Sequence, residues 1–595
     1  MNVWSISTTV RNPERIPDFC VAIGSIAGKK WNQASQLEFM YELIRRRFYS
    51  PQNMTDAQQE KFDDPDYELS SKEAKDIFDT QSYEDPPMRG RTAIAPLRDI
   101  GVVRLAERVE LTSIGQELIA GKISLQDVLL NYCLKWEAPT PGHRLFSIQN
   151  GYNIRPFVGA LALITRVNQI WSAKSHEAVG ISREEFEVFA LTLISHDYIE
   201  LFAQRIVDTR AQVRSKKLAA EKFAVAEKQY KDHLAWCSPN QSVTQTDRNN
   251  LKDFGDNAIR YFRQTGFIEY RGAGRYVDIS AAVLPQAEAL IAGRHYVPIG
   301  FDDQESYFDY ISNMASFTPP WADKKQLTKV KKHLRGVLKA SGIDVTIASS
   351  DSGTVVNKIR GEDKEIIELR RALVNSRLNH LKKVSRQNTF LDELIVEYDQ
   401  LLHRNYGGYL PKPVALEFNT FKAFLSLNDA ISVTANYPTG DDGEPISTAP
   451  GGATDLICEY KSFVLSVEVT LSRGNTQWVM EGQPVQRHLR QIEDQYSKPA
   501  YALFLAPKLH ADTVETFWIA NVHGYQGDKQ RIAALETPIW RDYLRSQQAV
   551  LISNNYGHED LKSFLDRALP QQNVHANSMQ WKQMVNSQTF VMSFE

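Results

Sequence analysis

The residues of this chain best placed for chemistry are two acids on neighbouring strand-like segments. Leu456-Ile457-Cys458-Glu459-Tyr460 and Phe463-Val464-Leu465-Ser466-Val467 read as two β-strands joined by a short turn at Lys461-Ser462. In a symmetric turn Tyr460 faces Phe463, Cys458 faces Leu465 and Leu456 faces Val467, which makes one face wholly apolar. The same register sets Asp455 opposite Glu468 on the other face, with Cβ atoms about 4.5–5.5 Å apart. Facing like charges weaken a sheet by roughly some tenths of a kcal/mol or more, so the pair calls for a compensating charge. Mg²⁺ is the simplest candidate, because two carboxylates, waters and a substrate phosphate satisfy it. The bland alternative is two acids at splayed strand ends with their heads in water.

Further side chains converge on this place. After Thr470 comes the turn Ser472-Arg473-Gly474-Asn475, then a helix from about Thr476 that carries Glu481 and, two turns later on the same face, His488. A strand that ends in a carboxylate and feeds a helix carrying another is the order expected of a metal-dependent nuclease core. Upstream, Glu417 lies in a helix with Phe418, Phe421 and Phe424 on its buried side, and the Gly-, Pro- and Asp-rich loop from Tyr437 to Gly452 delivers the chain to Asp455. Glu417 is a candidate to complete the acidic cluster, with a surface acid as the alternative. The alternative for His488 is a satisfied interior histidine. Gly24-Ser25-Ile26-Ala27-Gly28-Lys29 falls one residue short of a P-loop and Lys30 replaces the required Ser or Thr, which argues against nucleotide-driven translocation.

Positioning these groups takes several domains. At 595 residues, with 42% hydrophobic and 24% charged side chains, the chain is globular in composition and long enough for three or four domains. The net charge of −3 excludes a global basic excess, so an anionic partner must be held by local patches. Four scattered cysteines make neither a disulfide framework nor a structural zinc site and fit a reducing cytosol. With no signal-like start and no membrane-length apolar run, a soluble, cytoplasmic protein without a membrane partner is expected. Residues 50–90 are polar, acidic and proline-bearing and read as a loop.

Two stretches then share a pattern of helix, hairpin, helix. The first runs from Ile94 to Ile119, with Val102–Leu105 and Val109–Leu111 as its strands; the second starts at Thr246, turns at Gly272-Ala273-Gly274 between Phe267–Tyr270 and Tyr276–Ile279, and reopens a helix at Ser280. This suggests winged-helix modules, which lay a helix in a DNA major groove or mediate protein contacts. Arg91 and Arg98 in the first module and Arg260 and Arg263 in the second are the candidate DNA contacts, against a plain solvated face. Arg205–Asp232 reads as one long basic helix, and Lys324–Lys339 as a second basic stretch, either phosphate-neutralising or simply solvated. Composition changes after Gly407-Gly408, which puts a domain boundary near residues 395–410.

The run Thr454-Asp455-Leu456-Ile457, Val467-Glu468-Val469-Thr470-Leu471-Ser472-Arg473-Gly474 and Thr476-Gln477-Trp478-Val479-Met480-Glu481-Gly482-Gln483-Pro484-Val485-Gln486-Arg487-His488 resembles the catalytic segment of the AlwI family of type IIS restriction endonucleases, which includes nicking enzymes that read GAGTC. The likeness extends to Trp4-Ser5-Ile6-Ser7, Arg11-Asn12-Pro13-Glu14-Arg15-Ile16, Arg91, Ala95-Pro96, Lys135-Trp136, Arg260–Gly266 and Leu503–Pro507. The resemblance implies a mixed α/β multidomain protein: a winged-helix-like DNA-recognition region over 1–300, a helical linker over 301–395 and a PD-(D/E)xK nuclease domain over 396–595. It implies a Mg²⁺-dependent type II site-specific deoxyribonuclease or nickase acting on double-stranded DNA, with a transient homodimer or a small catalytic partner subunit for the second strand. Asp455 and Glu468 match the metal-binding acids, Glu417 and Glu481 the supporting carboxylates, and His488 the histidine after them. Where Glu-x-Lys is usual in the wider nuclease motif this chain has Glu468-Val469-Thr470, which leaves the lysine's role to Arg473, His488 or the metal ion itself. Two other readings stay open: a winged-helix DNA-binding regulator with an inactive nuclease domain, and a two-carboxylate glycoside hydrolase.

Overall fold

The computed structural model describes residues 1–591 apart from 64–66, 68, 144, 273, 344–355, 386, 404–405, 407–409, 428, 438, 441–442, 447, 450–453, 473–474, 554–555, 572–573, 575 and 588–589. The chain divides into two compact units, one of Met1–Asn53 with Ser70–Val374 and one of Met54–Leu69 with Asn375–Glu595. Among the described residues no helix is long and apolar enough to cross a membrane.

In the first unit α1 (Pro86–Asp99) begins at the Asp85 cap, whose carboxylate accepts from the Met88 N–H, with Pro at the first turn where a missing N–H costs nothing. It leads into the hairpin β1 (Val103–Leu105) and β2 (Val109–Leu111), paired Val103↔Leu111 and Leu105↔Val109. Thr112 then caps α2 (Ser113–Ile119). The pattern returns with α3 (Gln245–Gln264), opened by a Thr244–Asp247 capping box. Gly266, at φ +77°, ends the turn after it. β3 (Ile268–Arg271) and β4 (Tyr276–Ile279) form the second hairpin, and Ile181–Ser182 adds a third strand alongside β4 that local sequence does not announce. Trp4, 1% exposed, packs edge-on against Trp136 and Phe186, while Phe262 of α3 packs against Trp4 and Phe157, so the chain's first residues close the core beneath α3. α4 (Lys324–Ala340) buries Leu327, Val330, Leu334 and Leu338 against Ile366, Leu369 and Leu373.

Two expectations are corrected in this unit and at its edge. Residues 50–90 contain the helices Asp56–Asp63, in the second unit, and Ser71–Asp79 in the first, besides the start of α1. A Ser70–Glu73 capping box nucleates Ser71–Asp79, and its few apolar side chains, Ala74, Ile77 and Phe78, recur at helical spacing and are all buried. The expected single helix over Arg205–Asp232 is two, Ile199–Arg214 and Ala219–Cys237, broken at Ser215–Leu218. Part of its basic run is spent internally, with Arg210 forked onto Glu185 and Arg205 lying over Trp236.

The second unit is built on a five-stranded mixed sheet. α5 (Lys412–Ser426) precedes β5 (Ser432–Ala435), β6 (Leu456–Glu459) and β7 (Val464–Val469); α6 (Asn475–Gln495) then leads to β8 (Ala500–Ala506), and helix Ala511–Val522 to β9 (Ile532–Glu536). The spatial order is β9-β8-β7-β6-β5, antiparallel among β5, β6 and β7 and parallel across β7, β8 and β9. Every residue of β8 is buried, as the apolar Ala-Tyr-Ala-Leu-Phe-Leu-Ala run of a covered parallel strand requires. The β6–β7 register pairs Leu456↔Val467 and Cys458↔Leu465, the symmetric arrangement read from the sequence.

Candidate active site

Asp455 directly precedes β6 and Glu468 lies near the end of β7, so the pairing Leu456↔Val467 carries the two acids onto facing positions at the same end of the hairpin. The Val469 N–H donates to Asp455 Oδ2 at 2.8 Å, which ties one carboxylate to the backbone of the strand bearing the other. Asn436 donates from its backbone N–H to the Asp455 carbonyl and from its side chain to the Thr454 carbonyl, which fixes the entry into β6 from the β5 side.

Burial pushes the Asp455 carboxyl well above the usual carboxylate range, and the negative charges of Glu468 and Glu481 add to it; the Val469 N–H pulls the other way. Glu468 is 5% exposed and is raised in the same manner, first by burial and then by Glu481, against hydrogen bonds from the Thr454 side chain and the Asp455 backbone. Glu481, on α6, is raised by burial and eased by the Thr470 hydroxyl and by His488. His488 also lies on α6, and its Nδ1 stands 2.8 Å from Glu468 Oε1. Burial, then Arg487, hold this imidazole below its ordinary value. Where Glu468 is ionised and can only accept, a neutral His488 donates from Nδ1 and keeps its lone pair on Nε2, a buried atom that has no hydrogen-bond partner among the described residues.

Asp455, Glu468, Glu481 and His488 are therefore brought together. Glu417 is buried in α5, and its Oε2 accepts from the Ala449 N–H at 2.9 Å, anchoring the loop that leads into β6. Arg473 lies outside the described residues. Sequence reasoning missed three polar side chains here: Thr454, whose Oγ1 is 2.7 Å from the Ser466 hydroxyl; Thr470; and Gln477, which donates to the Ser472 and Lys508 carbonyls and accepts from the His510 N–H. Gln477 lies one turn before Glu481 on α6, a spacing that was readable; its partners near residue 508 were not.

The proposed groove-facing arginines lie in varied surroundings. Arg91 pairs with Asp85 at 2.6 Å and reaches Gln36, and Arg98 pairs with Asp99 at 2.9 Å. Arg260 pairs with Asp256 one turn back. Arg263 is 5% exposed, with its guanidinium 4.5 Å over the Tyr270 ring.

Whether these residues suit a divalent cation is a question of donor chemistry. Among the described residues no group of three or more His, Cys, Asp or Glu side chains forms a ready metal cluster. A facing carboxylate pair, Glu468 buried and Asp455 half-buried, with protonation favoured by burial and by neighbouring acids, suits a hard cation that takes one or two protein carboxylates and completes its shell with water and phosphate. The pair fits Mg²⁺ in that sense.

Comparison with known proteins gives three results. No curated protein matches the chain. Solved structures also overlap it, among them the small subunit of the heterodimeric restriction endonuclease R.BspD6I, at 22% identity over 34% of this chain and 98% of that one with a TM-score of 0.27, and the BpuJ1 endonuclease binding domain in complex with modified DNA, at 12% identity over 50% and 90% with a TM-score of 0.29. Likeness of that degree leaves the reading to the chain's own geometry and to the third result. The family model of the AlwI restriction endonuclease matches residues 98–540, well over half of the sequence and inclusive of Asp455, Glu468, Glu481 and His488, so the chain belongs to the AlwI restriction endonuclease family, whose enzymes cleave DNA.

Proposed function

We propose that this chain is a Mg²⁺-dependent type IIS restriction endonuclease or strand-specific nickase, which binds a short asymmetric duplex site and hydrolyses a phosphodiester at a distance from it. The observation that carries this reading is the like-charged pair of half-buried Asp455 and buried Glu468, held in register with no cationic side chain among their described contacts. Asp455 and Glu468 would hold the metal ion. When bound, it would polarise the scissile phosphate and acidify the attacking water. His488 fixes the orientation of the Glu468 carboxylate through Nδ1 and keeps a proton-accepting nitrogen beside it. Thr470 occupies the lysine position of the wider PD-(D/E)xK motif and, through its hydroxyl, holds Glu481, which supports the pair from α6. Glu417 acts one step further out, by setting the path of the loop into β6.

In this reading residues 1–300 supply recognition through the two winged-helix-like modules, residues 301–395 link, and residues from 396 onward cut. Arg91, Arg98, Arg260 and Arg263 are the candidate contacts to DNA, and alanine variants assayed on cognate and scrambled duplexes at several salt concentrations sort base-reading from phosphate-binding side chains. Cleavage of both strands calls for a transient homodimer or a small catalytic partner. The enzyme would work in a bacterial or archaeal cytoplasm, consistent with four free cysteines.

The test is plasmid digestion with Mg²⁺ and with EDTA, read on a gel, followed by sequencing of the ends. Discrete cuts at fixed offsets from one asymmetric site, lost in EDTA, are expected. Cleavage unaffected by EDTA, or no cleavage by folded protein at any Mg²⁺ concentration, refutes the proposal.

A further inference from the structure

The helix α4 carries a lysine line that neither the acidic site nor the hairpin modules use. Its sequence, Lys-Lys-Gln-Leu-Thr-Lys-Val-Lys-Lys-His-Leu-Arg-Gly-Val-Leu-Lys-Ala, has no Asp or Glu, in a chain with 69 basic and 72 acidic side chains. At 3.6 residues per turn, Lys325, Lys329, Lys332, Gly336 and Lys339 fall within an arc of about 80°. That arc is opposite the buried stripe Leu327, Val330, Leu334 and Leu338. The acids that approach this helix come to its flank, where Asp363 and Glu365 bond Lys331 and Glu365 also bonds Arg335. The four lysines of the line are exposed, and among the described residues none has an ion-pair or hydrogen-bond partner. A solvated helix face ordinarily interleaves acids three or four residues from its lysines, because like charges at that spacing repel. Here no acid among the described residues relieves that repulsion along the face.

Gly336 stands in the middle of the line. Glycine inside a helix costs about 1 kcal/mol relative to alanine, and nothing lies within 4 Å of where its β-carbon would be, so no packing constraint requires it. Its effect is to leave the helix backbone open to close approach from outside. From Lys325 to Lys339 the axis advances about 21 Å, which matches about six base pairs of duplex at 3.4 Å per step.

We propose that α4 is a track for the phosphate backbone of duplex DNA, in which Lys325, Lys329, Lys332 and Lys339 each neutralise a phosphate and Gly336 admits the nearest one. The track rests on the DNA-cutting reading above and adds to it a contact that reads no sequence.

The full-length chain is titrated, in Ca²⁺ or EDTA, onto a fluorescent duplex of about 40 base pairs at salt concentrations from about 50 to 200 mM. Substituting K325Q, K329Q, K332Q and K339Q together is expected to reduce the slope of log affinity against log salt by about 3 to 4, at roughly 0.9 per phosphate contact. A control with the same charge change, K216Q, K217Q, K222Q and K228Q, is expected to alter it by much less. Gly336→Ala is expected to keep or raise the melting temperature, as alanine favours helix, and yet weaken duplex binding several-fold, which separates a DNA role from a structural one. Melting temperatures near that of the parent protein establish that the variants fold. An unchanged slope in the α4 variant, an equal loss in the control, or polyglutamate competing as well as a duplex of equal charge overturns the track while leaving the nuclease reading intact. A parent protein that binds no duplex overturns both.

Discussion

Buried acids in the two units are treated in opposite ways. In the first, Glu137 and Arg155 have side chains 1% and 2% exposed; two guanidinium nitrogens meet one carboxylate oxygen, and the Ile299 and Gly300 N–H groups add two more donors. Glu185 is forked by Arg210, Asp127 is met by Arg360 and Glu362 by Arg370. In the second unit Glu468 is as deeply placed, yet among its described contacts are a neutral imidazole and further acids. An ionised carboxylate removed from water without a cation carries a large desolvation cost. The first unit offsets that cost within its own sequence; at the ends of β6 and β7 no offsetting cationic side chain stands among the described contacts of Glu468. Burial alone thus does not set an acid apart, whereas burial without a native cation does, and it is this property that supports the proposed function.

The largest test of this contrast is activity. Asp455→Ala and Glu468→Ala are each expected to reduce cleavage about a thousandfold or more, the several kcal/mol a metal ion supplies at a reacting phosphate, while duplex binding changes little. If binding fell equally in folded variants, the acids would not have a role separate from recognition. Stability should show the reverse pattern. Glu137→Ala, which strands Arg155 in the interior, is expected to cost about 3–5 kcal/mol in urea unfolding, whereas Glu468→Gln in EDTA should cost little or stabilise, because it removes a repelling charge. Similar losses from both would abolish the distinction.

A smaller effect is the response to ligand. Mg²⁺ at about a hundred times its dissociation constant should stabilise the parent protein by about 2.7 kcal/mol, visible as a rise in melting temperature that EDTA reverses and that the D455A, E468A double variant lacks. The smallest effect comes from Glu187, the first-unit acid that departs from the rule. Burial raises it from 4.5 to about 7, against the opposing pull of Arg183 and Lys252. Because the folded-state value is the higher one, its contribution to stability is present below pH 4.5 and is lost as pH rises through 7. Glu187→Gln should flatten that fall, by about 1 kcal/mol after solvent screening, with no change in Mg²⁺ response. A lost Mg²⁺ response in this variant would move Glu187 into the functional class.

The acid pair was legible in the sequence because side-chain direction in a strand alternates with period two, so a short turn at Lys461-Ser462 fixed which residues face each other by arithmetic alone. Both helix-hairpin modules were legible for a similar local reason, with caps at Thr112 and Thr244 and tight turns between short apolar runs. What lay outside reach depends on distant residues. Ile181–Ser182 joins β4 from almost a hundred positions upstream. Arg263 and Arg260 look equivalent on one helix, yet the first is covered and the second is not, since only the tertiary packing of Tyr270 separates them. Helix Ser71–Asp79 hid behind an acidic composition that its three buried apolar side chains overrule.

The register of β6 against β7 also ties the acid pair to the sheet's own core. A slip of β7 by one residue against β6 would turn Val467 out of the apolar layer and Glu468 into it, where an unpaired carboxylate is costly, and would part Glu468 from Asp455. The pairing that sets Asp455 opposite Glu468 is therefore the same pairing that builds the sheet's core. Under the proposed function, a chain that misses this register loses its sheet core and its acid pair together.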